Sequence, residues 1–193
     1  MLENLENLEK FARENYIPVL LDDTRELLIE TVKNIQPKSI LEIGTAVGYS
    51  GTLMLQSSDA VLTTIDLNAD SIAIAKNTFT ENGVIGRVTQ LQGDAKDVLP
   101  TLSGKFDFIF LDGPKGQYIR YLPYLENLLN KGGVIFADNV LYRGMVESTE
   151  FIPHKKRTIV VNLRKYLNAV TNSNKFDTII YKIGDGVAIS TLK

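Results

Sequence analysis

The chain has 193 residues, a net charge of −2 and no cysteine. This length suits one well-buried domain, and 44% hydrophobic with 23% charged residues is the composition of an ordinary globular protein. Without cysteine, disulfides, thiolate metal sites and cysteine nucleophiles are excluded. The sequence has neither an apolar run long enough to span a membrane nor a signal-peptide pattern, so we expect a cytoplasmic protein.

Strand and helix patterns alternate along the chain, which predicts an α/β fold with a doubly wound sheet. We expect the sheet to be mostly parallel with one antiparallel strand, because Gly184-Asp185-Gly186 is typical of a hairpin between the last two strands. Asp22 or Asp23 is expected to cap the second helix. The predicted helices cover 2–15, 22–35, 48–57, 69–82, 115–129 and 158–169, and the predicted strands cover 40–43, 61–66, 88–91, 106–111, 134–138, 176–183 and 186–192.

A glycine turn follows the first predicted strand, in the segment ILEIGTAVGYS at 40–50. Gly44 and Gly48 bracket a four-residue step without the third glycine of a dinucleotide fingerprint, so a cofactor without a pyrophosphate fits better. Asp66 ends the second strand, where a carboxylate accepts ribose hydroxyls, and Asp94 follows the third, where it can accept from an adenine amino group. Together they favour an adenosine-type ligand; the alternative is a tight turn with aspartates that cap helices.

Oxygen-bearing side chains also follow the strands at 106–111 and 134–138. Asp112 comes directly after the first of these strands, and Asp138 and Asn139 come at the end of the second. Three oxygen ligands suit Mg²⁺ or Mn²⁺ rather than zinc. Lys115 lies three residues after Asp112, and a nearby cation would favour its neutral, basic form, so it is the candidate general base. The alternatives are aspartates that cap helices and a surface lysine that starts one.

These motifs resemble a known family. The segment at 41–50 resembles the first motif of class I S-adenosylmethionine-dependent methyltransferases. Asp112-Gly113-Pro114-Lys115 with Asp138-Asn139 resembles the metal-dependent O-methyltransferases of the catechol and caffeoyl-CoA type. Within that family the chain is most similar to bacterial tRNA 5-hydroxyuridine methyltransferases, in segments at 37–40, 115–118, 138–146 and 184–190, and the resemblance covers about 16–192. It departs at Gly113-Pro114, where two small alanine-like residues are expected.

The resemblance implies a Rossmann-like fold with seven strands and a single domain, with N-terminal helices at 1–36 and the core at 37–193. It implies S-adenosylmethionine and Mg²⁺ (or Mn²⁺) as cofactors, and methylation of wobble 5-hydroxyuridine in tRNA to 5-methoxyuridine. A catechol-like small phenol is the alternative acceptor, and a non-catalytic adenosine- or RNA-binding module is the alternative of another class. The implied residues are Lys115 and Asp112 for catalysis; Glu42, Gly44, Thr45, Gly48, Tyr49, Ser50, Asp66, Asp94, Ala95 and Asp112 for the cofactor; and Asp112, Asp138 and Asn139 for the metal.

Basic residues are concentrated toward the C-terminal end of the chain, which is typical of an anionic partner, although a solvated surface gives the same pattern. A basic loop that follows Asn139 would bind tRNA phosphates and hold the anticodon loop. Tyr49 and Tyr118 either line the site or pack. The N-terminal helix packs on its own domain or on a second subunit, and we expect a homodimer. The substrate residues expected in or near this loop are Arg143, His154, Lys155, Lys156 and Arg157.

Overall fold

The computed structural model describes residues 2–14 and 19–193. Short 3₁₀ turns occur at Ile85–Arg87, Leu99–Thr101 and Lys115–Gln117. None of the described helices is long and apolar enough to cross a membrane. The helices are α1 (Leu2–Glu14), α2 (Asp22–Ile35), α3 (Tyr49–Gln56), α4 (Ala69–Glu81), α5 (Ala95–Val98), α6 (Tyr118–Leu128) and α7 (His154–Thr171), and the strands are β1 (Ser39–Ile43), β2 (Val61–Asp66), β3 (Val88–Gln92), β4 (Phe106–Leu111), β5 (Leu129–Ala137), β6 (Phe176–Tyr181) and β7 (Val187–Leu192).

The N-terminal half, which ends at Val98, forms one compact unit. Its strands β1, β2 and β3 are parallel, and β2 pairs with both of the others. Ile43 is paired with Ile65, and Asp66 with Gln92. The three carboxyl ends are therefore nearly level, and the residues that follow them meet at one edge.

The C-terminal half, from Leu99 onward, forms a second compact unit. Here β4 and β5 are parallel, with Leu111 paired to Ala137, and β7 is antiparallel to both β5 and β6. The strand order is β3-β2-β1-β4-β5-β7-β6. The expected α/β fold, a seven-stranded and mostly parallel sheet with one antiparallel strand, is confirmed.

Helix α1 packs on its own chain. Leu5 and Ala12 belong to one buried cluster with Val47, Tyr49 and Leu53, which lie in the glycine turn and α3. The apolar positions recur at helical spacing, so one face of α1 is buried. The last residue of the helix predicted at 2–15 and the side chains of Leu2 and Phe11 lie outside the described part of the chain.

One predicted helix cap and one predicted helix start are wrong, whereas α2 covers the predicted residues 22–35. Helix α2 has Leu21 at its N-cap without a side-chain cap, and Asp22 and Asp23 lie in its first turn, where their charges favour the helix dipole. Helix α7 begins at His154 rather than at 158, with Pro153 at the N-cap. Proline is tolerated where a helix starts, and the lysines and arginine that follow have good helix propensity. Residues 154–157 therefore form a helical turn and not the expected basic loop.

Candidate active site

The glycine turn at 44–48 is held by the ends of the parallel strands. Gly44 N donates to Ile65 O (2.9 Å), and its φ of 101° favours glycine. Gly48 has φ 79°, and a Cβ there would lie 3.1 Å from Ala75 and Phe79. Both glycines are therefore required by backbone conformation or by close packing, as the sequence pattern indicates.

Asp66 faces this turn. Its Oδ2 accepts from Ala46 N (2.9 Å) and its Oδ1 accepts from Asn68 N (2.9 Å). A carboxylate has about four acceptor positions, so two remain for further donors. The protein thus fixes the Asp66 carboxylate at the strand end while leaving it able to accept ribose hydroxyls.

Asp94 follows β3 one residue after Gly93, whose N donates to Asp66 O (2.9 Å). Its Oδ1 accepts from the Lys96 backbone N (3.0 Å), and its Oδ2 lies 2.9 Å from Lys96 Nζ. These bonds to Lys96 lower the pKa of Asp94 and keep it an ionised acceptor. Ala95 is buried at the start of α5. The structure therefore brings Gly44, Asp66 and Asp94 to the ends of adjacent strands, as predicted.

Glu42 supports the turn from inside. It is fully buried, and its carboxylate accepts from Ser50 Oγ (2.5 Å) and Thr64 Oγ1 (2.6 Å), while Thr45 Oγ1 lies 2.5 Å from Thr64 Oγ1. A buried carboxylate must be hydrogen-bonded, and these hydroxyls supply the bonds. The side chains of Glu42, Thr45 and Ser50 bond with the protein interior, so cofactor contact through them stays a prediction.

Tyr49 connects the turn to the N-terminal helices. Its hydroxyl donates to Glu9 Oε2 (3.1 Å), and Arg25 Nη1 donates to the same Glu9 oxygen (3.1 Å) and toward Tyr49 Oη (3.4 Å). Burial raises the pKa of Tyr49, so its hydroxyl stays a donor. The contacts of Glu9 and Arg25 with Tyr49 cannot be predicted from the sequence, because these residues lie 40 and 24 positions away and form no local pattern.

Asp112 and Asp138 lie at the level ends of β4 and β5. Asp138 N donates to Leu111 O (3.1 Å), which holds the two strand ends together. Asp138 is only 4% exposed, and burial followed by the Asp112 charge raises the pKa of Asp138 to about 7. Asp138 Oδ1 accepts from Asn139 N (2.6 Å), and Asn139 has φ 55°, a conformation that asparagine tolerates.

Lys115 Nζ donates to Asp112 Oδ1 at 2.5 Å. The lysine starts a 3₁₀ turn for which Pro114 is the N-cap, with φ −62°, and Gln117 N donates to Pro114 O (2.8 Å). Proline already has this φ, so the departure from the family pattern at Gly113-Pro114 is compatible with the turn. The structure thus places the candidate base beside Asp112, and its role as a base stays a prediction. The helix predicted at 115–129 begins as this short turn, and β5 already starts at Leu129.

The residues at these strand ends fit a divalent cation. Within the described residues no group of three or more histidine, cysteine, aspartate or glutamate side chains is placed to hold a metal. The set here is two carboxylates and one amide oxygen, a donor chemistry that suits Mg²⁺ or Mn²⁺. Burial, followed by the Asp112 charge, raises the pKa of Asp138, and a cation bound beside both carboxylates would favour its ionised form.

Side chains from α6 and α7 support the cluster formed by Asp112, Lys115 and Asp138. The Tyr118 hydroxyl lies 3.0 Å from Leu111 O, and Asn162 Nδ2 donates to Gly116 O (2.7 Å), which fixes the turn that carries Lys115. Burial raises the pKa of Tyr118 well above its ordinary value. Asn162 is not distinguishable in the sequence, since it lies 46 residues from Gly116. Tyr118 packs beneath the cluster and does not face solvent.

The predicted substrate residues lie in two places: Arg143 lies between β5 and α7, and the other four lie in the first turn of α7. Lys156 Nζ donates to Tyr142 Oη (3.0 Å), so this lysine is already bonded within the protein. Arg143 has an exposed side chain and φ 56°, and its backbone N donates to the Asp185 carboxylate. The exposed residues in the first turn of α7 are His154, Lys155 and Arg157.

Comparison with known proteins identifies the family of this chain. The O-methyltransferase family model matches residues 2–193. Catechol O-methyltransferase of Bos taurus is 30% identical over 166 residues, which cover 81% of this chain and 61% of that protein, so the chain spans less than two thirds of the bovine length. Caffeoyl-CoA O-methyltransferase 3 of Nicotiana tabacum is 29% identical over 180 residues, covering 86% of this chain and 73% of the relative.

Two solved structures agree in fold along nearly the whole chain. The SAH-bound methyltransferase PaMTH1 of Podospora anserina is 26% identical with a TM-score of 0.87, and covers 98% of this chain and 88% of its own. The O-methyltransferase TomG of Streptomyces achromogenes, in complex with SAM, is 26% identical with a TM-score of 0.86, covering 99% and 90%. The chain therefore belongs to the O-methyltransferase family, in the class I, S-adenosylmethionine-dependent branch of catechol and caffeoyl-CoA type that its motifs indicate.

Proposed function

We propose that the protein is a divalent-metal-dependent O-methyltransferase that uses S-adenosylmethionine and methylates wobble 5-hydroxyuridine in tRNA. The observation that carries the metal dependence is the buried Asp138 carboxylate beside Asp112, with Lys115 Nζ 2.5 Å from Asp112. A cation held there supplies Lewis acidity, which favours deprotonation of a bound hydroxyl. Lys115, whose Nζ bonds to Asp112, would take up the acceptor proton in its neutral form.

The N-terminal half supports the methyl-donor role. Asp66 keeps two acceptor positions for ribose hydroxyls, and Asp94 presents an ionised carboxylate at the next strand end. The turn at 44–48 lacks the glycine that a pyrophosphate requires. S-adenosylmethionine has an adenosine and no phosphate, and two of the structural relatives bind it or its product.

The first turn of α7 supports an anionic acceptor. It contains four basic residues and no acidic one, and the helix has no side-chain cap. Cations at a helix N-terminus oppose the dipole, so these charges do not help the helix to form. His154, Lys155 and Arg157 have no ion-pair partner among the described residues, and Phe151, just before the helix, is 82% exposed. Phosphates and an unstacked base are the groups that such cations and an exposed aromatic ring bind.

The proposed methyl acceptor also suits a cation held by Asp112 and Asp138. A 5-hydroxyuridine base has its hydroxyl next to the carbonyl oxygen at position 4, so both oxygens could bind one cation. A catechol has two adjacent hydroxyls and meets the same requirement. A catechol-like phenol is the second candidate acceptor, because the curated relatives are named catechol and caffeoyl-CoA O-methyltransferases.

The test is a transfer assay with S-adenosylmethionine labelled in its methyl group. The protein is incubated with tRNA that contains 5-hydroxyuridine or with catechol, each with Mg²⁺ and with EDTA. We expect label in the tRNA, loss of transfer with EDTA and recovery with excess Mg²⁺. Label in catechol alone would favour the small-molecule acceptor. Transfer that persists in EDTA would contradict metal dependence, and cofactor binding without transfer to either acceptor would favour a non-catalytic module.

A further inference from the structure

The Tyr118 hydroxyl lies between the two strand ends that carry Asp112 and Asp138. It is 3.0 Å from Leu111 O and 3.1 Å from Asp138 O, so its one proton is shared between the two carbonyls. Leu111 O also accepts from Asp138 N (3.1 Å). The last residue of β4 and the residue after β5 are therefore joined by a closed set of hydrogen bonds.

We propose that Tyr118 is a positioning residue that fixes the spacing of the Asp112 and Asp138 carboxylates for a divalent cation. This inference rests on the metal dependence proposed above. Tyr118 acts through the backbone and does not touch the cation. Because its ring is fully buried, water cannot replace the hydroxyl, and the bonds are lost if it is removed.

The surroundings of Tyr118 allow a close control. Tyr166 of α7 packs edge-on against Tyr118, with ring centroids 5.6 Å apart and an interplanar angle of 75°. Tyr166 is also fully buried, but its hydroxyl has no hydrogen-bond partner among the described residues. The two tyrosines thus share burial and ring packing and differ in what the hydroxyl does.

Binding of Mn²⁺ to the full-length protein, without methyl donor or acceptor, compares Tyr118→Phe with Tyr166→Phe. Free Mn²⁺ is measured by electron paramagnetic resonance. Removing a group that orients metal ligands commonly costs about 10–100-fold in metal affinity, and we expect about tenfold weaker binding for Tyr118→Phe. Tyr166→Phe should bind Mn²⁺ like the wild type. S-adenosylhomocysteine affinity should be unchanged in both variants.

A kinetic readout separates positioning from a general loss of stability. The Mg²⁺ concentration for half-maximal transfer should rise about tenfold in Tyr118→Phe, with kcat largely recovered at saturating Mg²⁺. Unchanged Mn²⁺ affinity in Tyr118→Phe, with a lower melting temperature alone, would overturn the positioning role. Equal weakening in both variants would assign the effect to ring packing and overturn it as well.

Two further outcomes keep the inference apart from the proposed function. Absence of Mn²⁺ binding to the wild type would overturn both, whereas wild-type binding with no effect of Tyr118→Phe overturns only the inference. If Tyr118→Phe does not fold, amide hydrogen exchange of the wild type provides a second test. Mg²⁺ should then slow exchange at Asp138 N, which donates to Leu111 O, and unchanged exchange would contradict the proposal.

Discussion

The glycine turn at 44–48 and the Asp112–Asp138 pair both lie at the carboxyl ends of parallel strands. The carboxylates at the two places differ in how completely the protein hydrogen-bonds them. In the N-terminal half, Glu42 is fully buried and accepts two hydroxyl donors, and Asp66 accepts two backbone donors. In the C-terminal half, the buried Asp138 has a pKa raised to about 7 by burial and by the Asp112 charge. The carboxylates near the turn are already hydrogen-bonded by the protein, whereas the buried Asp138 lacks a compensating charge that a cation would supply.

This difference predicts that changes in the two regions affect separate measurements. Loss of a carboxylate in the C-terminal half should impair metal binding and transfer while leaving cofactor affinity intact. Loss of an acceptor near the turn should weaken cofactor binding first. Variants at Asp138, Asp66 and Tyr49 test that separation, and variants on α7 test binding of the acceptor; each has a control with a similar change elsewhere.

Asp138→Ala is expected to have the largest effect. Lewis-acid activation contributes several kcal/mol, so transfer should fall by about 10²–10³-fold in the labelled-methyl assay. S-adenosylhomocysteine affinity, measured by calorimetry, should stay within about twofold of the wild type. Asp177→Ala is the control, since Asp177 lies on β6 and pairs with Lys193 at the surface. Full activity of Asp138→Ala would contradict the metal site.

Asp66→Ala should have the next largest effect, on cofactor affinity. A hydrogen bond to a charged acceptor contributes about 1.5–3 kcal/mol, which corresponds to about 10–100-fold weaker binding of S-adenosylhomocysteine. Loss of the Asp66 carboxylate also removes the acceptor for Ala46 N. Asp70→Ala, an exposed change in the first turn of α4, is the control. Unchanged affinity would remove Asp66 from the ribose role.

Combined Lys155→Gln and Arg157→Gln should weaken tRNA binding about tenfold at low salt. Each lost phosphate contact lowers the slope of log K against log salt by about 0.7–0.9, so the slope should decrease by about 1.5. Filter binding at several salt concentrations measures it. Lys165→Gln, an exposed change on the same helix, should leave the slope unchanged. An unaltered slope in the double variant would argue against tRNA contact through α7.

Tyr49→Phe should have the smallest effect. It removes the hydroxyl that donates to Glu9 while keeping the ring, and a neutral hydrogen bond contributes about 0.5–1.5 kcal/mol. Cofactor affinity should therefore fall a few-fold, because α1 packs on the turn through the same residue. Lys10→Gln is the control, since it affects only an exposed pair with Glu14 on α1. A loss as large as that in Asp66→Ala would show that Tyr49 contacts the cofactor directly.

Much of the fold was predictable because its signals are local. Buried strands such as β4 read as apolar runs, the turn at 184–186 indicates a hairpin, and the alternation of strands and helices predicts a parallel sheet. Gly44, Asp66, Asp112 and Asp138 follow strands, and strand ends in an open α/β sheet are where ligands bind.

The errors arose where two local signals conflict. The basic run at 154–157 is predicted as a loop before the helix at 158–169, and its charges do oppose the dipole of a helix that begins there. Helix propensity and the burial of Val160 and Leu163 on the same helix outweigh that repulsion. An aspartate near a helix start is favoured both as the N-cap and in the first turn, so the sequence does not distinguish the two positions. In α2 both aspartates lie in the first turn.

The sequence by itself determined the order of the strands along the chain, the glycine turn and the oxygen-bearing residues at the strand ends. Only the tertiary structure placed Glu9 and Arg25 on Tyr49, Asn162 on the Lys115 turn, and the Tyr118 hydroxyl between Leu111 and Asp138. Local patterns report backbone conformation and amphipathicity over a few residues. Hydrogen bonds between side chains and groups tens of residues away depend on how the elements pack, which no local pattern encodes.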